Sequence, residues 1–230
     1  MDIKSIDYVR ALKIQRSLVE AKHKGKLSED ILFVLEHPGV FTVGRNKGLE
    51  NLLVSEQTLS NRGIDLVRIE RGGDITYHGP GQLVVYPIVN LRANRLSVTQ
   101  FVFDLEEVML QLCRLFDVQA VRDSRNHGMW VQGKKIGSVG VAIRRGISFH
   151  GLAFNVCNSL TPFTWINPCG LSNVQMTSLQ NELGEQSQAL SMESVRQKCK
   201  ALITQCFDVQ LQEIDLKRVE DYIPYFNNAG

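Results

Sequence analysis

The sequence predicts an α/β fold in which a mixed β-sheet is flanked by helices, and three observations lead to it. Apolar, β-branched runs with strand character recur along the chain. Segments with the 3.6-residue periodicity of helices lie among them, but without the strict alternation of a doubly wound parallel sheet. The 230 residues contain no internal repeat and no Pro/Ser-rich linker, so we expect a single domain over 1–230.

Five segments carry helix signals. Apolar positions at helical spacing and a basic last turn before Gly25 predict the first helix, and Ser55 is a capping residue for the second. Ser97-Val98-Thr99-Gln100 matches a capping box ahead of a long apolar stripe, which predicts the third. Apolar residues at i, i+4, i+7 and i+11 predict the fourth. The predicted helices lie at 5–24, 55–63, 97–116, 191–206 and 216–222.

Nine runs carry strand signals. The run at 30–36 is continuously apolar between charged ends, as expected for a strand buried on both faces. Arg144-Arg145-Gly146 is a tight turn between the two longest runs. The predicted strands lie at 30–36, 41–44, 64–70, 83–89, 118–121, 128–131, 135–143, 147–156 and 208–211.

The segment 71–82 separates two predicted strands and contains four of the chain's 18 glycines. Two residues suffice to connect adjacent strands, so twelve residues rich in glycine and polar groups need another reason. Glycine permits positive φ and lets another molecule approach the backbone closely. We interpret the segment as a ligand cradle, while composition alone leaves a plain surface connection open.

Composition excludes several classes of protein. A net charge of +2 with only small basic clusters argues against a dedicated nucleic-acid-binding protein. Five cysteines without a CxxC pair argue against a zinc site or a disulfide framework. No apolar run reaches the roughly 18 residues of a membrane span, and no signal peptide is evident. We therefore expect a cytoplasmic protein with reduced thiols that binds no metal.

One cysteine stands apart from the other four. Cys169 lies between Pro168 and Gly170, outside any periodic run, which suits presentation of a reactive thiol. The other four are predicted to pack, three on helix stripes and one at a strand end: Cys113, Cys199, Cys206 and Cys157.

A nucleophilic thiol has to lose its proton, so it needs a base nearby. The candidates are His78, His150 and the pair Lys134 and Lys135. Neighbouring residues on a strand face opposite sides, so only one of the two lysines can point into a site. The residues alone leave this choice open.

Glycine is concentrated a second time on two adjacent predicted strands, in Gly137-Ser138-Val139-Gly140 and in His150-Gly151-Leu152-Ala153. Glycine weakens a strand interior unless a ligand or another backbone comes close. Together with the segment 71–82, these strands are expected to line one narrow apolar groove. Such a groove suits an elongated ligand such as an acyl chain.

Three blocks, in order, resemble the LipB family of lipoyl/octanoyl transferases. They are 71–82, then 133–140 with 145–156, then Asn167-Pro168-Cys169-Gly170. The resemblance runs from about residue 35 to 177, inside a motif-bearing core of about 30–185. A C-terminal extension of about 189–230 adds little to it. The resemblance implies the fold of the biotinyl/lipoyl protein ligases.

The resemblance also implies an activity. Such enzymes move an octanoyl group from octanoyl-acyl carrier protein to a lysine ε-amine, as the first step of protein lipoylation. The acceptors are the lipoyl domains of 2-oxoacid dehydrogenase E2 subunits and the glycine cleavage H protein. The resemblance implies no cofactor, no nucleic acid and no membrane partner, and we expect a monomer.

The same resemblance assigns residues. Cys169 is similar to the family's acyl-thioester nucleophile. Lys135 matches the lysine that lowers the pKa of that thiol and relays protons, which selects it over Lys134. The positions that match substrate-binding segments are Arg71, Gly72, Gly73, Asp74, Ile75, Thr76, Tyr77, His78, Ser138, Val139, Gly140, Gly151, Leu152 and Ala153.

Two alternative functions are compatible with parts of the sequence. An ATP-dependent lipoate or biotin ligase shares the implied fold, and it needs a lysine but no nucleophilic cysteine. The Pro-Cys-Gly block and the lack of a glycine-rich nucleotide loop argue against it. A non-catalytic module that binds acyl groups or carrier proteins would need neither Cys169 nor Lys135.

Overall fold

Nine strands form two mixed sheets in the computed structural model, which describes residues 1–45, 48–170 and 174–220, with only the backbone of residues 169 and 220. The strands are β1 (Asp2–Ile3), β2 (Ile31–Leu35), β3 (Val40–Val43), β4 (Asp65–Arg68), β5 (Thr76–His78), β6 (Gln82–Ile88), β7 (Gly128–Val131), β8 (Lys134–Arg144) and β9 (Ile147–Asn155). The prediction of a mixed sheet is confirmed.

The larger sheet has six strands in the order β1-β2-β6-β9-β8-β7. β1 and β2 are parallel, and the remaining neighbours are antiparallel. Strand β6 shows why its run is apolar throughout, since Leu83 and Val85 enter one core cluster while Val84 and Tyr86 enter another. Alternate residues of a strand face opposite sides, so a strand covered on both faces is apolar at every position.

The smaller sheet has three strands in the order β4-β3-β5. β3 pairs parallel with β4 and antiparallel with β5. The predicted loop at 71–82 was therefore partly wrong, because its residues Thr76–His78 form a strand against β3. That pairing joins residues more than thirty positions apart, so the local composition gave no sign of it.

Among the described residues, six α-helices flank the sheets: α1 (Tyr8–His23), α2 (Glu56–Ser60), α3 (Val98–Arg114), α4 (Leu179–Leu183), α5 (Met192–Phe207) and α6 (Leu216–Glu220). α1 packs on one face of the larger sheet, and α3 and α5 pack together on the other. The predicted serine caps are confirmed, since Ser55 accepts from Thr58 N and Ser97 from Gln100 N. Cys113 and Cys199 are buried, as predicted, and Cys206 is partly buried against the same core.

Two predicted strands and the predicted packing of one cysteine were wrong. Residues 208–211 form no strand, because Asp208 ends α5 in the left-handed region and β1 occupies the free edge of β2. At 118–121 only Val121 pairs, through one bridge to Trp130. Cys157 is exposed rather than packed, because β9 ends two residues before it. Of the helix predicted at 216–222, residues 221–222 lie outside the described part of the chain.

Within residues 1–45, 48–170 and 174–220, no helix has both the length and the apolar character needed to cross a lipid bilayer.

Candidate active site

A cavity of about 210 Å³ lies where the segment 71–78 crosses β8 and β9. This volume is small beside the roughly 300–1,000 Å³ of typical ligand pockets, so it suits a thin ligand. Eleven of the residues predicted from the sequence line it: Arg71, Gly72, Gly73, Thr76, His78, Ser138, Val139, Gly140, Gly151, Leu152 and Ala153. The three glycine-rich segments therefore meet at one cavity.

Arg71 fixes the crossing segment in place. Its Nη2 donates to the carbonyl oxygen of Thr42 at 2.7 Å and to Thr42 Oγ1 at 2.8 Å, which ties it to β3. The backbone N–H of Gly72 donates to the carbonyl oxygen of Val141 at 3.0 Å, which ties the segment to β8. The segment thus bridges the two sheets, and its backbone forms one wall of the cavity.

Asp74, Ile75 and Tyr77 do not line the cavity, although the sequence grouped them with residues that do. Alternation along β5 explains Tyr77, whose ring packs on the opposite side against Phe41 and Phe163. Ile75 is fully buried in the same apolar cluster. Asp74 accepts a hydrogen bond from Asn51 Nδ2 at 2.6 Å. These three residues therefore hold the segment in place and do not contact the cavity.

The buried end of the cavity is lined by aromatic and imidazole rings. Tyr8 stacks on His78 with ring centroids 5.9 Å apart, and Tyr86 lies edge-on to His150 at 6.3 Å. Behind them, His37 donates through Nδ1 to Ile6 O at 2.7 Å and accepts at Nε2 from the Tyr86 hydroxyl at 2.8 Å.

Burial, the largest cause in each case, lowers the pKa of His37 to about 4 and the pKa values of His78 and His150 to about 3. All three imidazoles are therefore neutral near pH 7. A base with so low a pKa takes protons poorly, which weakens His78 and His150 as candidates for the base.

We expect these three histidines to make stability fall steeply below pH 6.5. Their pKa values are lower in the folded state than the ordinary 6.5, so the unfolded chain binds more protons between about pH 6.5 and pH 4. Each contributes a loss of about 1.4 kcal/mol per pH unit across that window. Urea unfolding at pH 7, 6 and 5 should show a proton uptake on unfolding that rises toward three as the pH falls.

The exposed His23 provides the matched control for that titration. His23→Gln should leave the slope unchanged, whereas His37→Gln should remove about one proton from it. A free energy of unfolding that stays constant between pH 6.5 and pH 5 would contradict the account.

The side chain of Lys135 is fully buried and bonds two residues of the cavity lining. Its Nζ donates to Asn126 Oδ1 at 2.5 Å and to the carbonyl oxygen of His127 at 2.9 Å. Asn126 and His127 themselves line the cavity. Lys134, its neighbour on β8, is partly exposed, so the predicted opposite orientation of the two lysines is confirmed.

The turn that carries Cys169 is anchored to the loop around Asn51. It is a short 3-10 helix, Pro168–Gly170, in which Gly170 N donates to Asn167 O at 3.0 Å. Asn167 N donates to Asn51 O at 2.8 Å, and Asn51 in turn bonds Asp74. The Cys169 thiol lies outside the described part of the chain, so its predicted role stays a prediction.

Residues shortly after that turn pair directly with Lys135. The backbone N–H of Lys135 donates to Gln175 O at 2.8 Å, and Thr177 N donates to Lys135 O at 2.9 Å. Asn155 Nδ2 on β9 holds the carbonyl oxygen of Thr177 at 2.9 Å. The third sequence block is therefore attached on its C-terminal side to the strand that carries the lysine.

Several cavity residues were missed from the sequence: Tyr8, Tyr86, Val102, Asn126, His127 and Val141. Tyr8 and Val102 lie on helices whose apolar residues predict packing in the core, and Tyr86 lies in an apolar strand. Within the described part of the chain, no cluster of three or more His, Cys, Asp or Glu side chains is arranged to hold a metal ion.

Gly72 provides a test of the cavity wall. A Cβ at this position would meet only Val141 O, at 3.7 Å, so a side chain is tolerated by the fold. We expect Gly72→Leu to slow loading of an acyl chain at least about tenfold by occupying a small cavity, with Gly72→Ala intermediate. Acylation rates and thermal unfolding are measured on the same samples.

Gly151 is the contrasting control. There a Cβ would lie 2.1 Å from Val85 O, so Gly151→Ala should lower the unfolding temperature because β6 leaves no room. If Gly72→Leu is folded and acylates at the wild-type rate, the segment does not form the acyl-binding wall.

The fold is shared with enzymes that attach lipoate or biotin to proteins. A lipoate-protein ligase A bound with ATP is 15% identical with a TM-score of 0.75, over 96% of this chain and 92% of that chain. Biotin protein ligase from Aquifex aeolicus, in complex with biotin and ATP, is 14% identical with a TM-score of 0.54, over 90% and 69%. At these identities the likeness concerns the fold, and the class is that of the lipoyl/biotinyl ligase-like catalytic domains.

Closer relatives narrow the class. Residues 7–204 match the family model "Lipoyl protein ligase A/B catalytic domain". An octanoyltransferase from Desulfotalea psychrophila is 48% identical over 186 residues, 80% of this chain and 83% of that protein. One from Desulforamulus reducens is 38% identical over 219 residues, 95% and 94%. The chain belongs to the lipoyl protein ligase A/B catalytic-domain family and, within it, to the LipB octanoyltransferases.

These relatives decide one alternative. Family membership makes the chain an enzyme that transfers acyl groups, which excludes the alternative of a non-catalytic binding module. The match over 7–204 also includes α1 and most of α5, which is wider than the motif blocks alone indicated.

Proposed function

We propose that this enzyme moves an octanoyl group from octanoyl-acyl carrier protein through a thioester on Cys169 to a lysine ε-amine of a lipoyl domain. The acceptors are lipoyl domains of 2-oxoacid dehydrogenase E2 subunits and the glycine cleavage H protein. Relatives named octanoyltransferase support the acyl group, and the small cavity accommodates its chain.

One observation carries the proposal. A fully buried lysine amine donates to Asn126 Oδ1 and His127 O, and both of these residues line the cavity. The strand that bears it pairs with the segment that follows the Pro-Cys-Gly turn. A lysine bonded to the lining of a cavity, on a strand that pairs with the segment after a cysteine turn, suits proton transfer in acyl exchange.

In the first half-reaction the Cys169 thiolate attacks the octanoyl thioester of the donor. The attack forms an oxyanion that backbone N–H groups stabilise, and its collapse breaks the bond to the phosphopantetheine sulfur. Lys135 donates its proton to that sulfur and becomes a neutral amine. The octanoyl chain stays in the cavity between the segment 71–78 and the strands β8 and β9.

In the second half-reaction a lysine ε-amine of the lipoyl domain attacks the Cys169 thioester. Lys135 takes the proton that this amine loses, and Cys169 leaves as a thiolate. Exchange of one thioester for another is nearly isoenergetic, whereas the final amide is more stable than a thioester. The sequence of steps therefore needs no ATP.

The experiment that tests the proposal sets two acyl sources side by side. Purified enzyme and apo lipoyl domain are supplied with octanoyl-acyl carrier protein, or with octanoate, ATP and Mg²⁺. We expect octanoylated domain from the carrier protein alone, measured by intact mass. Turnover from octanoate and ATP would instead assign the chain to the ligases.

A further inference from the structure

Lys135 donates two hydrogen bonds to one short segment, residues 122–128, which leads into β7. Asn126 contributes its side-chain amide oxygen at 2.5 Å and His127 its carbonyl oxygen at 2.9 Å. The Nζ atom also lies 5.2 Å from the ring centroid of Trp130. All three contacts favour the ammonium form over the neutral amine, because neutral oxygen acceptors and a ring face attract positive charge.

The segment is itself fixed by a buried carboxylate. Glu106 on α3 is 6% exposed, and its Oε1 accepts from Gly128 N at 2.9 Å and lies 3.1 Å from His127 Nδ1. Its Oε2 lies 3.3 Å from Arg122 Nε. A Cβ at Gly128 would be 2.9 Å from Lys135 Cε, so glycine lets the segment pass this close to the lysine. The position of Asn126 is therefore set by α3.

We propose that Asn126 is a positioning residue that sets the proton affinity of Lys135 and so balances the two half-reactions. The inference rests on the proposed function, in which Lys135 is an acid in the first half and a base in the second. Its amide oxygen holds the protonated amine more strongly than the neutral one. That preference keeps Lys135 protonated to higher pH, so it maintains the acid that acylation needs and reduces the fraction of neutral base that deacylation needs.

The charges around the segment decide how the test is run. Glu106 and Glu107 on α3 pack against it, and the segment itself carries Arg122, Asp123, Arg125 and His127. Rates are therefore followed from about pH 7 to about pH 10, above the range in which ordinary carboxylates and imidazoles titrate.

The experiment measures the two half-reactions separately. Acylation is followed by release of the carrier-protein thiol in a single turnover, and deacylation by mixing isolated octanoyl-enzyme with apo lipoyl domain. Acylation should fall at high pH and deacylation should rise, each with an inflection set by Lys135. We expect Asn126→Ala to shift both inflections down by about one pH unit and Asn126→Asp to shift both up.

At a fixed pH between the limbs the variants should therefore act in opposite directions. Asn126→Ala should slow acylation and speed deacylation, each by up to about tenfold for a shift of one pH unit, and Asn126→Asp should do the reverse. Asn94→Ala is the matched control, because Asn94 is exposed and bonds only Asp30 and Asn90. Thermal unfolding verifies that each variant is folded.

Two results would overturn the inference while leaving the proposed function intact. One is octanoyl-enzyme that forms and transfers with unshifted pH profiles in both variants. The other is an equal slowing of both half-reactions, which indicates a structural role only. If the wild-type enzyme forms no octanoyl-enzyme at all, the proposed function fails and this inference fails with it.

Discussion

Replacing Cys169 with alanine is expected to abolish octanoyl transfer, with a loss of at least about 10³-fold, because removal of a nucleophile leaves only binding and the surrounding donors. The variant should bind octanoyl-acyl carrier protein but form no covalent adduct. Intact-mass spectra taken after mixing with the donor, before any acceptor is added, measure the adduct directly.

The exposed Cys157 is the matched control. Partial burial of its sulfur raises the pKa of the Cys157 thiol most, and the nearby charge of Glu36 raises it further. The thiol is therefore a poor nucleophile at neutral pH. Cys157→Ala should therefore acylate at the wild-type rate. An octanoyl adduct that persists in Cys169→Ala and disappears in Cys157→Ala would move the nucleophile to Cys157.

Replacing Lys135 with methionine should lower the rate of transfer by about 10² to 10⁴-fold, the usual contribution of a positioned acid–base group. The fold should tolerate the change, because Lys135 is fully buried and an apolar side chain of similar length avoids the cost of a buried charge. Single-turnover rates and urea unfolding of the same variant measure the two effects independently.

Lys134→Met provides the comparison for this variant, since Lys134 is on the same strand and partly exposed. It should retain the wild-type rate. If Lys134→Met loses activity and Lys135→Met retains it, the assignment that selected Lys135 is wrong. If Lys135→Met is unfolded, the ammonium is needed for stability and the expected tolerance of the fold is wrong.

The larger sheet could be predicted because its patterns are local. The run at 30–36 is apolar at every position between its charged ends, and the run at 83–89 is apolar throughout, as a strand covered on both faces requires. The serine caps of α2 and α3 precede helices whose first turns they complete. Each of these signals lies within a few residues of the element that it predicts.

The smaller sheet and part of the cavity could not be predicted because they depend on distant pairings. Tyr77 was grouped with its cavity-lining neighbours, yet pairing of β5 with β3 turns its ring to the other face. Asn126 has no local signal of function. It reaches Lys135 because Glu106, twenty residues earlier on α3, accepts a hydrogen bond from the backbone N–H of Gly128, two residues after Asn126.

The choice between Lys134 and Lys135 required more than the strand pattern. Strand alternation established that only one of Lys134 and Lys135 could face a site, but it did not say which. The family resemblance selected Lys135, and the structure places Lys135 in the interior with Asn126 and His127.

The central claim is that the octanoyl group passes through a covalent intermediate on this enzyme before it reaches the lipoyl domain. The most direct measurement loads the enzyme with octanoyl-acyl carrier protein, removes all donor, and then adds apo lipoyl domain. The account predicts that the octanoyl mass leaves the enzyme and appears on the domain lysine, one equivalent for one. An adduct that survives the addition of acceptor, or transfer that occurs only while the donor is present, would contradict it.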